Sequence, residues 1–247
     1  MTTKSSVNVA YLLIGGRDVL PASIQAITEN RERLTQDTTG ASQDTDYHTS
    51  VGQQVFELTV EGLYDTAVGG FHAALQGTDP QILMYAPVGD DAGDPLVAFR
   101  GVRSTYNRTP ARGRLHRARA VYRADTGPEA MGLTHVSAPL TARTTVGPTD
   151  TAADNWLADS DNGGTAYLTV TALNLDGGTN VAITIRDSAD DITYADLVAF
   201  TAVTTAPNTQ RVVIAGTIDQ YTLTRHEFTG AAGGSRSITF TTGIARY

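Results

Sequence analysis

Between Val55 and Glu61 apolar and polar residues alternate without a break, Phe56, Leu58 and Val60 falling on one face of an extended chain and Glu57, Thr59 and Glu61 on the other. A repeat of period two is the signature of a half-buried β-strand. The same texture recurs through most of the chain. Strands are predicted over residues 7–14, ending at Gly15-Gly16, around 19–28, and over 81–88, 96–106 and 112–124. Further strands follow over 165–173, 181–186, 195–202, 210–214, 221–228 and 237–246, with Asp176-Gly177-Gly178 read as a hairpin turn. One segment breaks the pattern: Val68, Phe71, Ala74 and Leu75 stand at helical spacing, and Gly77 with Pro80 closes the helix.

The 247 residues exceed the roughly 100–150 typical of one domain, so two are expected. After Gly132 the composition turns to Ala, Pro, Thr and Gly as far as Pro148, the texture of a linker, which places a boundary near Leu140. The fold class is therefore mainly β: an N-terminal β-sandwich or barrel with one short helix over 1–140, and a C-terminal β-sandwich over 141–247.

Two charge anomalies stand out. Residues 35–53 are almost wholly polar, carry Asp37, Asp44 and Asp46, and hold no Lys or Arg, which reads as a long loop. Between Arg100 and Arg123 lie eight arginines and no acidic residue, although the chain as a whole has a formal net charge of -8. On a strand Arg117, Arg119, Val121 and Arg123 project to one side and His116, Ala118, Ala120 and Tyr122 to the other. Three readings fit the arginines: an assembly interface, a solvated sheet face balanced by neighbouring carboxylates, or a surface for DNA. Lys4 is the chain's single lysine, and arginine is the residue suited to fixed bidentate pairing. The net negative charge argues against a nucleic-acid coat.

Catalytic signatures are lacking in the sequence. The five histidines, at 48, 72, 116, 135 and 226, make no i,i+4 metal pair, and His72 reads as a structural residue on the helix. No phosphate-cradling glycine loop with a lysine and no Gly-x-Ser-x-Gly is present. The run from Asp159 to Gly164 begins like a calcium loop, but Gly163 and Val170 stand where ligands are needed, so a turn is expected. With no cysteine, disulfides and thiolate ligation are excluded. The expectation is a non-enzyme with no cofactor and no metal, made in the cytosol, since the start lacks an apolar signal region and no stretch is long enough to span a membrane.

Residues 56–65, Phe-Glu-Leu-Thr-Val-Glu-Gly-Leu-Tyr-Asp, run into a helix with Phe71-His-Ala-Ala-Leu75 and then Ile82-Leu-Met-Tyr-Ala-Pro-Val-Gly89, preceded by the polar stretch. In order and texture this resembles the major tail (tail-tube) proteins of siphophages, as does the ending from Ser237 to Tyr247. The resemblance covers a little over half the chain. It implies a virion tail protein whose sheets join those of five neighbours in a ring, with rings stacked into a tube through which DNA passes without specific binding. The long loop would reach the adjacent ring, and the C-terminal domain would decorate the outside. Implied partners are further copies of the chain and other tail proteins (tape measure, terminator, distal tail), with no membrane. Glu57 and Glu61 are then candidates for the lumen, whose wall should be neutral or acidic. Asp37, Asp44 and Asp46 would meet Arg112, Arg114, Arg117 and Arg119 across a subunit or ring interface. A capsid decoration protein, a tail terminator, or a carbohydrate-binding adhesion module within 141–247 are the alternatives.

Overall fold

The computed structural model describes residues 9–20, 24–37, 48–64, 71–110, 116–125, 130–134, 140–145, 149–151, 154–156, 158–230 and 234–247. The chain begins with β1 (Tyr11–Ile14), β2 (Arg17–Asp18), β3 (Ile24–Asp37), β4 (His48–Leu63) and the helix α1 (Phe71–Leu75). β5 (Gln81–Ala86), β6 (Pro95–Thr109), β7 (Arg117–Ala124) and β8 (Ala130–Thr134) follow. Two short strands, β9 (Thr149–Asp150) and β10 (Asp154–Asn155), precede β11 (Gly164–Asn174), β12 (Asn180–Ser188) and β13 (Ala195–Ala199). β14 (Asn208–Ile214), β15 (Tyr221–Thr229) and β16 (Ser237–Arg246) complete a mainly antiparallel β architecture with one short helix.

Two compact units divide the chain: residues 1–20, 82–98 and 130–247 form the first, and 21–81 with 99–129 the second. In the first unit one sheet runs β14-β11-β16-β8-β6-β5-β1-β2, with β6 contributing residues 95–98, and a second runs β10-β15-β12-β13 with β9 beside β15. Gly15 and Gly16 turn β1 back onto β2 at φ 56° and 83°, the left-handed pair that a two-residue hairpin turn requires. At 175–178 the turn also forms, with Gly178 N donating to Leu175 O at 2.8 Å. It is not the turn of a hairpin: β11 pairs with β14 and β16, whereas β12 pairs with β13 and β15, so the chain crosses from one sheet to the other.

Alternate residues of β11 enter two cores. Ala166, Leu168 and Val170 pack between the two sheets with Ile183, Ile185, Phe228 and Phe240. Tyr167 faces the other way, onto Tyr11, Met84 and Leu96. Thr169, on that same side, donates to Met84 Sδ at 3.0 Å. From Gly164 to Val170 every residue of β11 is buried, as in the middle layer of a three-layer packing.

The boundary near Leu140 thus falls inside a compact unit. Gly132, at the start of the stretch that resembles a linker, is closely packed: a Cβ on it would lie 1.8 Å from Ile244 O, and one on Gly243 would lie 2.0 Å from Leu96 Cδ2. Those two glycines let β8 lie against β16.

The second unit is an antiparallel sheet in the order β3-β4-β7-β6, with residues 99–109 of β6. Phe56, Leu58 and Val60 are fully buried with Phe99, Ala118, Ala120 and Tyr122, as the alternation in β4 and β7 predicts. Phe56 and Phe99 meet edge to face at 4.9 Å between centroids, a geometry that contributes about 0.5–1.5 kcal/mol beyond area burial. α1 buries Phe71, Ala74 and Leu75. Gln81 ties the helix end to the sheet, donating to Ala74 O at 3.2 Å and accepting from the Tyr122 hydroxyl at 3.1 Å.

Candidate functional site

β4 and β7 lie in a register that sets Glu57 opposite Arg123 and Glu61 opposite Arg119. Both pairs close on the face away from the core, Arg123 Nε to Glu57 Oε2 and Arg119 Nε to Glu61 Oε1, each at 2.9 Å. Arg100 binds Asp125 at 2.9 Å and Arg103 approaches Asp79 at 3.7 Å. Among the described residues, four of the eight arginines therefore have carboxylate partners within the chain. This corrects the expectation that Arg119 needs an acidic partner from elsewhere, because antiparallel pairing brings together carboxylates and arginines that lie far apart in sequence. Arg117 is exposed, stands opposite Leu63, and has no ion pair among the described residues. Arg112, Arg114, Asp44 and Asp46 lie outside the described residues, and Asp37 is placed as the last residue of β3, opposite His48.

Cross-strand pairs of this kind, half exposed, stabilise a sheet by about 0.2–1 kcal/mol. A double-mutant cycle of Glu57→Gln and Arg123→Gln should give a coupling energy within that range, falling in high salt. A coupling above about 2 kcal/mol would mean that water is excluded from this face.

β3 is the second feature. The polar stretch predicted as a loop over 35–53 is strand at both its ends: Thr35 pairs with Ser50, Gln36 with Thr49 and Asp37 with His48, and its middle, 38–47, lies outside the described residues. A ladder is satisfied by backbone groups alone, so a Thr-rich and Ser-containing segment extends a hairpin without an apolar core. β3 is 14 residues long, pairs only with β4 among the described strands, and is mostly exposed from Gln25 to Glu32. Its inward positions soften only partly, Arg31 binding Glu29 at 3.0 Å and stacking 5.7 Å from the Phe56 ring centroid.

At the end of β4 opposite the 38–47 segment, side chains scattered in sequence converge. The Tyr64 ring lies tilted, its centroid 4.6 Å from that of His72 of α1 and 6.3 Å from that of His116, and His72 Nδ1 hydrogen-bonds the Tyr106 hydroxyl. Arg108 lies 5.6 Å above the Tyr64 ring and donates to its hydroxyl at 3.3 Å. Tyr64, Arg108, Pro110 and His116 line an open recess of about 450 Å³. Burial, and then the Arg108 charge, hold the His72 pKa below its ordinary 6.5. Burial raises that of Tyr106, against the opposing effect of Arg108. The His72–Tyr106 contact therefore joins two neutral groups at pH 7, with Arg108 as the cation at the mouth. His72 does lie on the helix, as predicted. The convergence with Tyr64, Tyr106 and His116 has no sequence motif, since the five residues come from α1, β6 and the ends of β4 and β7.

No family model matches the sequence, and no curated protein does. Eleven chains of solved structures match. The tail of an empty GTA particle, refined with C6 symmetry, is 11% identical over 46% of this chain and 84% of that one, with a TM-score of 0.36. The Dit protein of SPP1, from the hub adsorption apparatus of phages infecting Gram-positive hosts, is 11% identical over 96% of this chain and 98% of that one, with a TM-score of 0.35. Infectious bursal disease virus, strain Gx, is 13% identical over 92% and 58% of the two chains, with a TM-score of 0.31. Likenesses at this distance carry no assignment of function. Among the described residues there is no group of three or more His, Asp or Glu side chains that could hold a metal ion, and no helix long and apolar enough to cross a membrane.

Proposed function

We propose that this chain is a structural, non-enzymatic tail protein of a phage virion that polymerises with itself, as stacked six-membered rings, into a tube that conducts DNA. The observation that carries the reading is β3. A strand of 14 residues with one edge open among the described residues and an exposed surface is a template for another strand, and soluble monomers rarely leave such an edge unprotected. Ring closure pairs every such edge, because each subunit offers one edge and receives another. The Glu57–Arg123 and Glu61–Arg119 pairs supply a face with balanced charge next to that edge. Such a wall would let DNA slide, whereas unpaired arginines would add phosphate attachments. Glu57 and Glu61 are thus assigned to the lumen as members of neutral pairs.

Lysines on an open edge block strand addition. Ala26 and Thr28 stand opposite Glu61 and Thr59 on the charged face, so Ala26→Lys with Thr28→Lys should leave the fold intact and hold the chain monomeric in sedimentation velocity at concentrations where the unmodified chain forms large particles. Unimpaired polymerisation of the double variant would exclude β3 as the joining edge.

A further inference from the structure

Arg108 enters the Tyr64 recess with most of its hydrogen-bonding capacity unspent. Its Nη1 donates to the Tyr64 hydroxyl at 3.3 Å, and its guanidinium carbon lies 5.6 Å from the centre of that ring. The edge formed by Nε and Nη2 has no partner among the described residues, and no carboxylate there pairs with the guanidinium. Its charge is felt nearby: after burial, it is what holds His72 below its ordinary pKa. The β6–β7 register fixes the side on which the recess opens. Arg108 stands opposite Ala118 and Tyr106 opposite Ala120, both buried, whereas Asn107 and Thr109 stand opposite Arg119 and Arg117 on the other face. The recess is thus at the rim of the core, away from the Glu57–Arg123 and Glu61–Arg119 pairs and from the face assigned to the lumen.

We propose that the recess binds a small organic acid, a monocarboxylate held by the Nε–Nη2 edge of Arg108, with a ring-sized body against Tyr64, Pro110 and His116. Its volume of about 450 Å³ falls within the roughly 300–1,000 Å³ of small-molecule sites. That edge offers two parallel N–H donors, the geometry that matches a planar carboxylate. One fixed cation answers one negative charge. A phosphate monoester, close to a dianion at pH 7, would bring a second charge that neutral His72 does not meet. Tyr64 already has His72, 4.6 Å away between centroids, and Arg108 against its ring, so it forms a wall and not a platform for a stacked base. Pro110 and His116 are exposed and supply the remaining ring surface.

Equilibrium dialysis of the chain against benzoate and against glucuronate reads the site in any state of assembly. Saturable binding of one acid per chain is expected, and the tighter of the two shows whether the body is aromatic or a sugar. Arg108→Gln should weaken binding at least about tenfold. Its thermal unfolding should match that of the unmodified chain, because Arg108 is exposed. Arg108→Lys should recover only part of the loss, since an ammonium lacks the paired donors. Arg117→Gln removes an exposed arginine from the opposite face and should change binding less than about twofold. Absence of saturable binding at millimolar acid, or equal losses in Arg108→Gln and Arg117→Gln, would overturn the site. Displacement of the bound acid by an oligothymidylate would overturn it by assigning the recess to nucleic acid. None of these results bears on self-assembly, which is read separately by sedimentation.

Discussion

A chain stopped at Leu140 should lose the fold of its first unit. Composition suggests the reverse, that 141–247 is a separable domain released by cleavage near 140–155. The stop removes β11 and β16, whose Tyr167 and Ala245 pack against Tyr11, Leu13 and Met84, and it leaves that face of β1 and β5 open to water. Tyr11 illustrates the cost: its hydroxyl, raised in pKa chiefly by burial, contacts Thr134 Oγ1 at 3.0 Å in the interior. Each large side chain so exposed forfeits about 1.5–3 kcal/mol, and a whole domain has only about 5–15 kcal/mol in hand. Amide exchange should show β1 and β5 unprotected in the truncated chain. Full protection there would restore the boundary at Leu140.

Gly132→Ala should be among the most damaging single substitutions in the molecule. The added methyl would meet a backbone carbonyl at 1.8 Å, with the Ile244 C at 2.6 Å and the Ala245 Cα at 2.8 Å, so no side chain can swing aside. Strands β8 and β16 must then separate. Overpacking against backbone costs at least about 3 kcal/mol, visible as a large fall in the midpoint of thermal unfolding. Gly234→Ala is the matched control: its new methyl meets nothing within 4 Å, and stability should stay within about 0.5 kcal/mol. Equal effects of the two would show that β8 and β16 are not held together as described.

The contrast explains what was legible in the sequence. Period two found the buried face of β4 and the alternation of β7, because burial on one side writes itself into neighbouring residues. The tight turn at Gly15-Gly16 was legible for the same local reason. Sheet membership was not. The turn at 175–178 has hairpin chemistry whether its strands pair with each other or part to different sheets. Gly132 reads as flexible until Ile244, more than a hundred residues away, is placed against it. The Arg119–Glu61 pair depends on the β4–β7 register, and the recess of Tyr64, His72, Tyr106, Arg108 and His116 draws on four elements, so neither leaves a local pattern.

Electron cryomicroscopy of the purified chain at high concentration would show whether it polymerises and through which edge. Tubes of stacked rings are expected, in which β3 of each subunit is hydrogen-bonded to a strand of its neighbour and Glu57 and Glu61, paired with Arg123 and Arg119, face the channel. Particles that remain monomeric, or an assembly in which the free edge of β3 lies in solvent, would contradict the proposed function.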